Sequence, residues 1–260
     1  MNAFHPKVAL VTGASSGIGA ATATLLASRG ARVAALGRSA DELRQTVDAI
    51  NASGEALELV ADVSDAAAME RAIAEVVLKW GRLDIVFANA GINGVWAPLD
   101  EIEPDEWDQT FAVNLRGTFL TMKYAIPYLQ REGGSIIITS SVNGTRMFSN
   151  SGATAYACSK AGQVALAKMA ALELAKYQIR VNVVCPGAIS TEIDDSTQQR
   201  HIYKARAPVQ FPTGDIPLTR GTPGSASEVA EAVAFLASDA ARHISGTELF
   251  VDGAQSLLQG

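Results

Sequence analysis

The stretch VALVTGASSGIGAATATLLA, residues 8–27, decides how this chain folds. It opens as a short apolar run with the look of a strand, passes through three closely spaced glycines, and continues as an Ala- and Leu-rich segment of helical length. The glycines fall as Gly13-x-x-x-Gly17-x-Gly19 rather than as G-x-G-x-x-G. The physics is related: Gly13 permits a tight turn, while Gly17 and Gly19 let backbone come close to a phosphate. The helix that starts here aims unpaired N–H groups at that charge. With Ser15, Ser16 and Ile18 between them, these glycines form a candidate dinucleotide cradle directly after a first strand.

Outward from this turn, short apolar runs alternate with helix-length segments to the end of the chain. The candidate strands are KVALVT, ARVAALG, ALELVA, LDIVFAN, SIIITS, IRVNVVC and ELFVDG. They are continuously apolar and rich in Val and Ile, as strands covered on both faces are, so the sheet is expected to be parallel. Between them, DAAAMERAIAEVVLKWG sets Met69, Ala72, Ile73, Val76, Val77 and Trp80 on one stripe, with Ser64 or Asp65 to cap its start and Gly81 to close it. Seven strands with intervening helices predict an α/β fold: one Rossmann-like, doubly wound parallel sheet with helices on both faces, a single domain over residues 1–260. Residues 190–224 break the rhythm, turning polar with Pro208, Pro212, Pro217 and Pro223. Placed after a strand C-terminus, they are expected to form a substrate lid.

Composition narrows the function. The chain has 260 residues, 48% apolar and 18% charged, with a net charge of −6 and no cluster of Lys and Arg. A nucleic-acid surface is not expected from this, nor an anionic-membrane one. Cys158 and Cys185 make no metal spacing with His5, His201 or His243, so neither a metal site nor a disulfide framework is expected. No apolar run reaches the roughly 18 residues of a membrane span, and no signal peptide is visible. A cytoplasmic protein is the expectation.

The second strand ends in Gly37 and Arg38, where a carboxylate would bond the adenosine ribose and repel a 2′-phosphate. Arginine offers charge and forked donors to a phosphate, so NADP is preferred over NAD. Further on, Tyr156 and Lys160 stand at i and i+4 in YACSK, on one face of a mostly apolar helix. A free phenol, with a pKa near 10, is a poor base at neutral pH. A neighbouring ammonium, together with the positive charge of oxidised nicotinamide, is expected to lower that value and make Tyr156 a general acid in reduction and a base in oxidation.

TGASSGIG at 12–19, ADV at 61–63, NAG at 89–91, Asn114 in FAVNLRG, SS at 140–141, YACSK at 156–160, PGAIST at 186–191 and SGTELFVDG near the end stand in one order along the chain. In this it closely resembles the short-chain dehydrogenase/reductase family over essentially its full length. The resemblance implies that Lys160 tunes Tyr156 and holds the nicotinamide ribose, and that Asn114 links Lys160 to solvent through water. It also implies that Ser141 hydrogen-bonds the substrate oxygen, with Ser140 as the alternative. Asp62 and Val63 would meet the adenine, Asn89, Ala90 and Gly91 would leave room for its ribose, and Pro186, Gly187, Ile189 and Thr191 would flank the nicotinamide.

Substrate-facing candidates lie at 93–96, 143–148 and 192–222, mixing Trp96, Met147, Phe148, Tyr203 and Phe211 with Arg146, Arg206 and Asp215. They suit a small alcohol or carbonyl compound. The expected function is an NADPH-linked carbonyl reductase; an NAD-linked sugar or alcohol dehydrogenase and a non-catalytic nucleotide sensor are the competing readings. Val164, Leu166, Met169, Leu172 and Leu174 do not share one stripe, so the helix that carries Tyr156 is expected to be covered on a second side by another subunit. The family resemblance suggests a homotetramer, with a dimer as the alternative.

Overall fold

The computed structural model describes residues 3–206 and 216–259. Seven strands form one parallel sheet: β1 (Val8–Thr12), β2 (Arg32–Gly37), β3 (Glu55–Val60), β4 (Ile85–Ala88), β5 (Gly134–Thr139), β6 (Ile179–Pro186) and β7 (Glu248–Val251). Their order across the sheet is β3-β2-β1-β4-β5-β6-β7. Each of the seven apolar runs became one of these strands. The order reverses between β1 and β4, and a crevice opens beyond the strand C-termini at such a point.

The strands are apolar throughout because both faces are covered. Val8 and Leu10 of β1, Ala34 and Leu36 of β2 and Ile136 and Ile138 of β5 point to one side. There they meet α3 (Ala66–Trp80), α5 (Gly117–Leu129) and α6 (Thr154–Leu174). Ala9, Val11, Val33, Ala35 and Ile137 point to the other side, toward α1 (Gly17–Ser28), α2 (Ala40–Asn51) and α7 (Ala226–Ala237). Each large apolar side chain taken from water in these layers stabilises the fold by about 1.5–3 kcal/mol.

The signals at the ends of α3 act as read. Asp65, rather than Ser64, is its cap, accepting from the N–H groups of Ala67 and Ala68, and Gly81 closes it in the left-handed conformation at φ 78°. Between α4 (Pro104–Phe111) and α5 one wide turn, Ala112–Arg116, has π-helical bonding and carries Asn114. Such turns recur at functional sites. No helix of the described residues is long and apolar enough to cross a membrane.

Of the expected lid, residues 207–215, including Pro208, Phe211, Pro212 and Asp215, lie outside the described residues. The rest is more ordered than a bare loop. Thr197–Gln199 pairs in parallel with Gly94–Trp96, and Ile189–Ser190 with Gly224–Ser225. Arg200 forks onto the Glu106 carboxylate at 2.8 Å to each oxygen and also reaches the Glu101 carbonyl. Glu101 in turn holds His201 at 2.6 Å and Lys204 at 2.7 Å. Each exposed pair is worth little singly, but together with the small sheet they tie residues 191–206 to α4 and the strand before it.

Candidate active site

The C-terminal ends of β1, β2, β4, β5 and β6 open into one cavity of about 890 Å³. At one end lies the glycine turn. Gly13 and Gly17 take positive φ, 66° and 50°, and α1 starts at Gly17 with no side-chain cap and no acidic residue in its first turn. Its leading N–H groups thus remain available to an anion. Gly13, Ser15, Ser16, Gly17 and Ile18 line the cavity. Gly19 does not: a side chain there would overlap the Gly13 carbonyl, so its part is to let α1 pack against the turn rather than to meet a phosphate. Arg38 stands exposed at the cavity rim beside Gly37, where a side chain would overlap the Ser15 hydroxyl. A carboxylate-bearing residue thus has no room at position 37 unless Ser15 moves.

Asp62 and Val63 line the same end. Burial pushes the Asp62 carboxyl up, but two hydrogen bonds from Ser64 and the nearby Arg38 charge outweigh it and hold the carboxyl below its ordinary value. Asn89, Ala90 and Gly91 form the floor. The Asn89 amide is committed to the scaffold, donating to the carbonyls of Thr12 and Gly13 and accepting from Thr139 Oγ1. Pro186, Gly187, Ile189 and Thr191 form the roof, with Thr191 packed over Gly17.

At the centre are Tyr156, Lys160 and Ser141, all buried and all on the cavity wall. The Lys160 ammonium lies 5.5 Å from the Tyr156 ring centroid and donates to the Thr139 carbonyl at 2.9 Å. Ser141 stands beside the phenol, close enough to hold its pKa down, and its Oγ accepts the Asn143 N–H at 3.1 Å. Ser140 faces the other way, donating to the Lys160 carbonyl at 2.8 Å. The geometry therefore sets Ser141, not Ser140, beside the phenol.

One expectation needs correction. Burial raises the Tyr156 pKa above its ordinary value; the Ser141 hydrogen bond opposes this, and Cys185 and Asp194 add to the rise. In the chain alone burial sets the direction of the shift. Lys160 is itself pushed down to about 8 by burial. Desolvation, which a spacing of four residues does not reveal, decides both directions. Asn114 is fully buried and stands behind the wall, its Oδ1 bordering Gly91 as the Lys160 ammonium does. Its amide bonds the Ile92 N–H, the Ile92 carbonyl and Ser159 Oγ, and its carbonyl accepts from Thr118 and Gln163. These bonds fix the π-turn against α6 and do not bring its side chain into the cavity.

Sequence reading missed Thr139, whose carbonyl holds Lys160, and Gln163, a completely buried amide that joins α6 to the π-turn. A glutamine amid the apolar run of α6 was the available signal. Asn93, within the first substrate-facing stretch, is buried under residues 194–197 and bonded to Ser196 and Thr197. Of the substrate-facing candidates, Trp96 and Met147 line the cavity. Phe148 and Tyr203 are exposed, and Arg146 lies over the Phe250 ring, 3.5 Å from its centroid. Arg206 is exposed, while Phe211 and Asp215 lie outside the described residues.

Residues 13–254 match a family model described as enoyl-(acyl carrier protein) reductase. The chain is 40% identical over 259 residues to a cis-4-hydroxycyclohexanecarboxylate dehydrogenase of Sinomonas cyclohexanicum, covering 96% of this chain and 97% of that one. A crystal structure of a 3-ketoacyl-ACP reductase from Sinorhizobium meliloti 1021 superposes with a TM-score of 0.93 at 55% identity, covering 96% and 99%. A carveol dehydrogenase from Mycobacterium avium, crystallised in complex with NAD, superposes with a TM-score of 0.87 at 31% identity, covering 97% and 98%.

Proposed function

The chain belongs to the short-chain dehydrogenase/reductase family and is an oxidoreductase, and we propose that it interconverts a secondary alcohol and its ketone with a nicotinamide dinucleotide, NADP in preference to NAD. The observation that carries this reading is the buried Tyr156 phenol, beside Ser141 and Lys160 on the wall of a cavity that runs on to the glycine turn. The residues present fit a dinucleotide. The Ser15 hydroxyl is buried without a partner, and α1 offers an uncapped N-terminus, where Gly13 and Gly17 leave no side chain in the way. Gly13, Ser15, Ser16, Gly17 and Ile18 would hold the phosphates, Asp62 and Val63 the adenine side, and Pro186, Gly187, Ile189 and Thr191 the nicotinamide side. When bound, the nicotinamide supplies or accepts the hydride.

The chain's own residues manage the proton. In reduction Tyr156 Oη gives its proton to the carbonyl oxygen of the substrate, and Ser141 Oγ donates a hydrogen bond to that oxygen as charge builds on it. In oxidation the same phenol oxygen takes the alcohol proton. A phenol whose pKa is raised by burial keeps its proton at neutral pH, which favours the acid role. Lys160 anchors to the Thr139 carbonyl behind the phenol, and Asn114 and Gln163 hold α6 in register with the π-turn.

Arg38 at the rim and the absence of a carboxylate at Gly37 support NADP. Titration of wild type and Arg38→Ala with NADPH and NADH tests this. We expect NADPH to bind wild type at least tenfold more tightly, and Arg38→Ala to remove most of that margin. Equal wild-type affinities contradict the preference. We further infer that the protein self-associates as a dimer or tetramer, because Met169 and Leu172 on α6 are 72% and 82% exposed, and Phe119 on α5 is 46% exposed.

A further inference from the structure

We propose that this site sorts its substrates by charge, taking neutral or cationic alcohols and ketones and turning away those that carry a carboxylate or phosphate. The inference rests on the oxidoreductase reading above and names the substrate class of that same cavity.

The charged residues that line the cavity are Arg38, Asp62, Lys160, Glu192 and Asp194. Arg38 and Asp62 stand at the nucleotide end, and the Glu192 carboxylate lies over Gly17 at the glycine turn. Lys160 is 2% exposed and bonded to the Thr139 carbonyl beneath the phenol. Among the described residues that leaves the substrate end with neutral walls, Asn93, Trp96, Asn143, Met147 and Asn150, and one carboxylate, the exposed Asp194. Asp194 is placed by the segment tied down on Asn93, whose amide nitrogen lies 3.5 Å from its Oδ1. Of the cations nearest in sequence, Arg200 is engaged with Glu106 and Lys204 with Glu101, and Arg206 is exposed and does not line the cavity.

A substrate carboxylate entering this end gives up water, meets no counter-charge among the described residues and faces Asp194. A neutral oxygen has donors to meet: the Trp96 indole N–H is buried without a partner, and such a group gains most from an acceptor brought by the ligand. A substrate ammonium gains from Asp194 directly. The carboxylate's field already reaches the reacting oxygen, since it contributes to the raised pKa of Tyr156.

The test uses cyclohexanones that carry a carboxamide, a carboxylate or a dimethylammonium group opposite the carbonyl. The amide and the acid share a shape and differ in charge. For each, kcat/KM is measured with reduced dinucleotide, and Kd for the enzyme–dinucleotide complex is measured by calorimetry. Wild type is expected to favour the carboxamide over the carboxylate by about tenfold or more in both readouts. Asp194→Asn and Asp194→Ser are expected to bring that ratio to within about threefold, while Asp195→Asn, an exposed neighbour outside the cavity, leaves it at the wild-type value. A carboxylate bound as well as its amide, or a ratio that survives in both Asp194 variants, overturns the proposal. Failure of the oxidoreductase reading is distinct: no ketone would turn over, while the calorimetric preference would still be read.

Discussion

Lys160 occupies a position that disfavours its own charge, and this has a measurable consequence for stability. Its pKa is pushed down to about 8 in the fold against an ordinary 10.5. Below pH 8 the buried ammonium is present in the folded state and costs its full desolvation. Between pH 8 and 10.5 the unfolded chain holds a proton that the folded chain has lost, so stability rises with pH across that window. Lys160→Met is therefore expected to be about 2 kcal/mol more stable than wild type at pH 7, the desolvation relief less the lost Thr139 bond. The advantage should shrink as pH climbs through the window, and turnover should be lost at every pH. Denaturant melts of the dinucleotide-free protein at pH 7 and 9.5 check this; a variant less stable at pH 7, or an advantage that ignores pH, contradicts it. That Tyr156, Lys160 and Ser141 share one cavity wall was legible from the i, i+4 spacing and the strand ending taken together with the family resemblance. The direction of the phenol's pKa was not, because it depends on burial by segments far along the chain. Gln163 was missed for the same reason, since it meets Asn114 across 49 residues, as was the contact of Asp194 with Asn93 across 101.

Among the elements, the strand–turn–helix unit of residues 8–28 shows how a sequence pattern and its physical cause can part. The glycines marked the cradle, yet Gly19 serves packing: its missing side chain lets α1 sit on the Gly13 carbonyl, while Gly13 and Gly17 supply the backbone shape. Gly19→Ala must shift backbone rather than a flexible side-chain end, and is expected to cost about 2–3 kcal/mol, a fall in Tm of roughly 5–10 °C. Dinucleotide affinity should fall at least tenfold as the cradle distorts. A variant that melts within 2 °C of wild type and binds dinucleotide equally would show the helix able to adjust freely. The seven long strands were legible because both their faces are apolar. The short pairings of Gly94–Trp96 with Thr197–Gln199 and of Ile189–Ser190 with Gly224–Ser225 were not, since two or three residues carry no periodicity. The π-turn at Ala112–Arg116 was hidden for another reason: its cause is the set of tertiary bonds to Asn114.

For the whole molecule, the same helix that turns Tyr156 and Lys160 inward leaves Met169 and Leu172 in water on its far side. Covering that face with a second copy would also steady α6, and with it the reacting pair. Light scattering at micromolar concentration is expected to give at least twice the mass of one chain, and Leu172→Glu to lower it; a wild-type mass of one chain contradicts self-association. The account as a whole depends on one proton moving at one oxygen. Its most direct test is Tyr156→Phe, followed at the nicotinamide absorbance band with a ketone that wild type reduces, alongside dinucleotide binding by the same protein. The account predicts turnover reduced by about 10²–10⁴-fold with dinucleotide affinity unchanged within a few fold. Turnover within a few fold of wild type would contradict it.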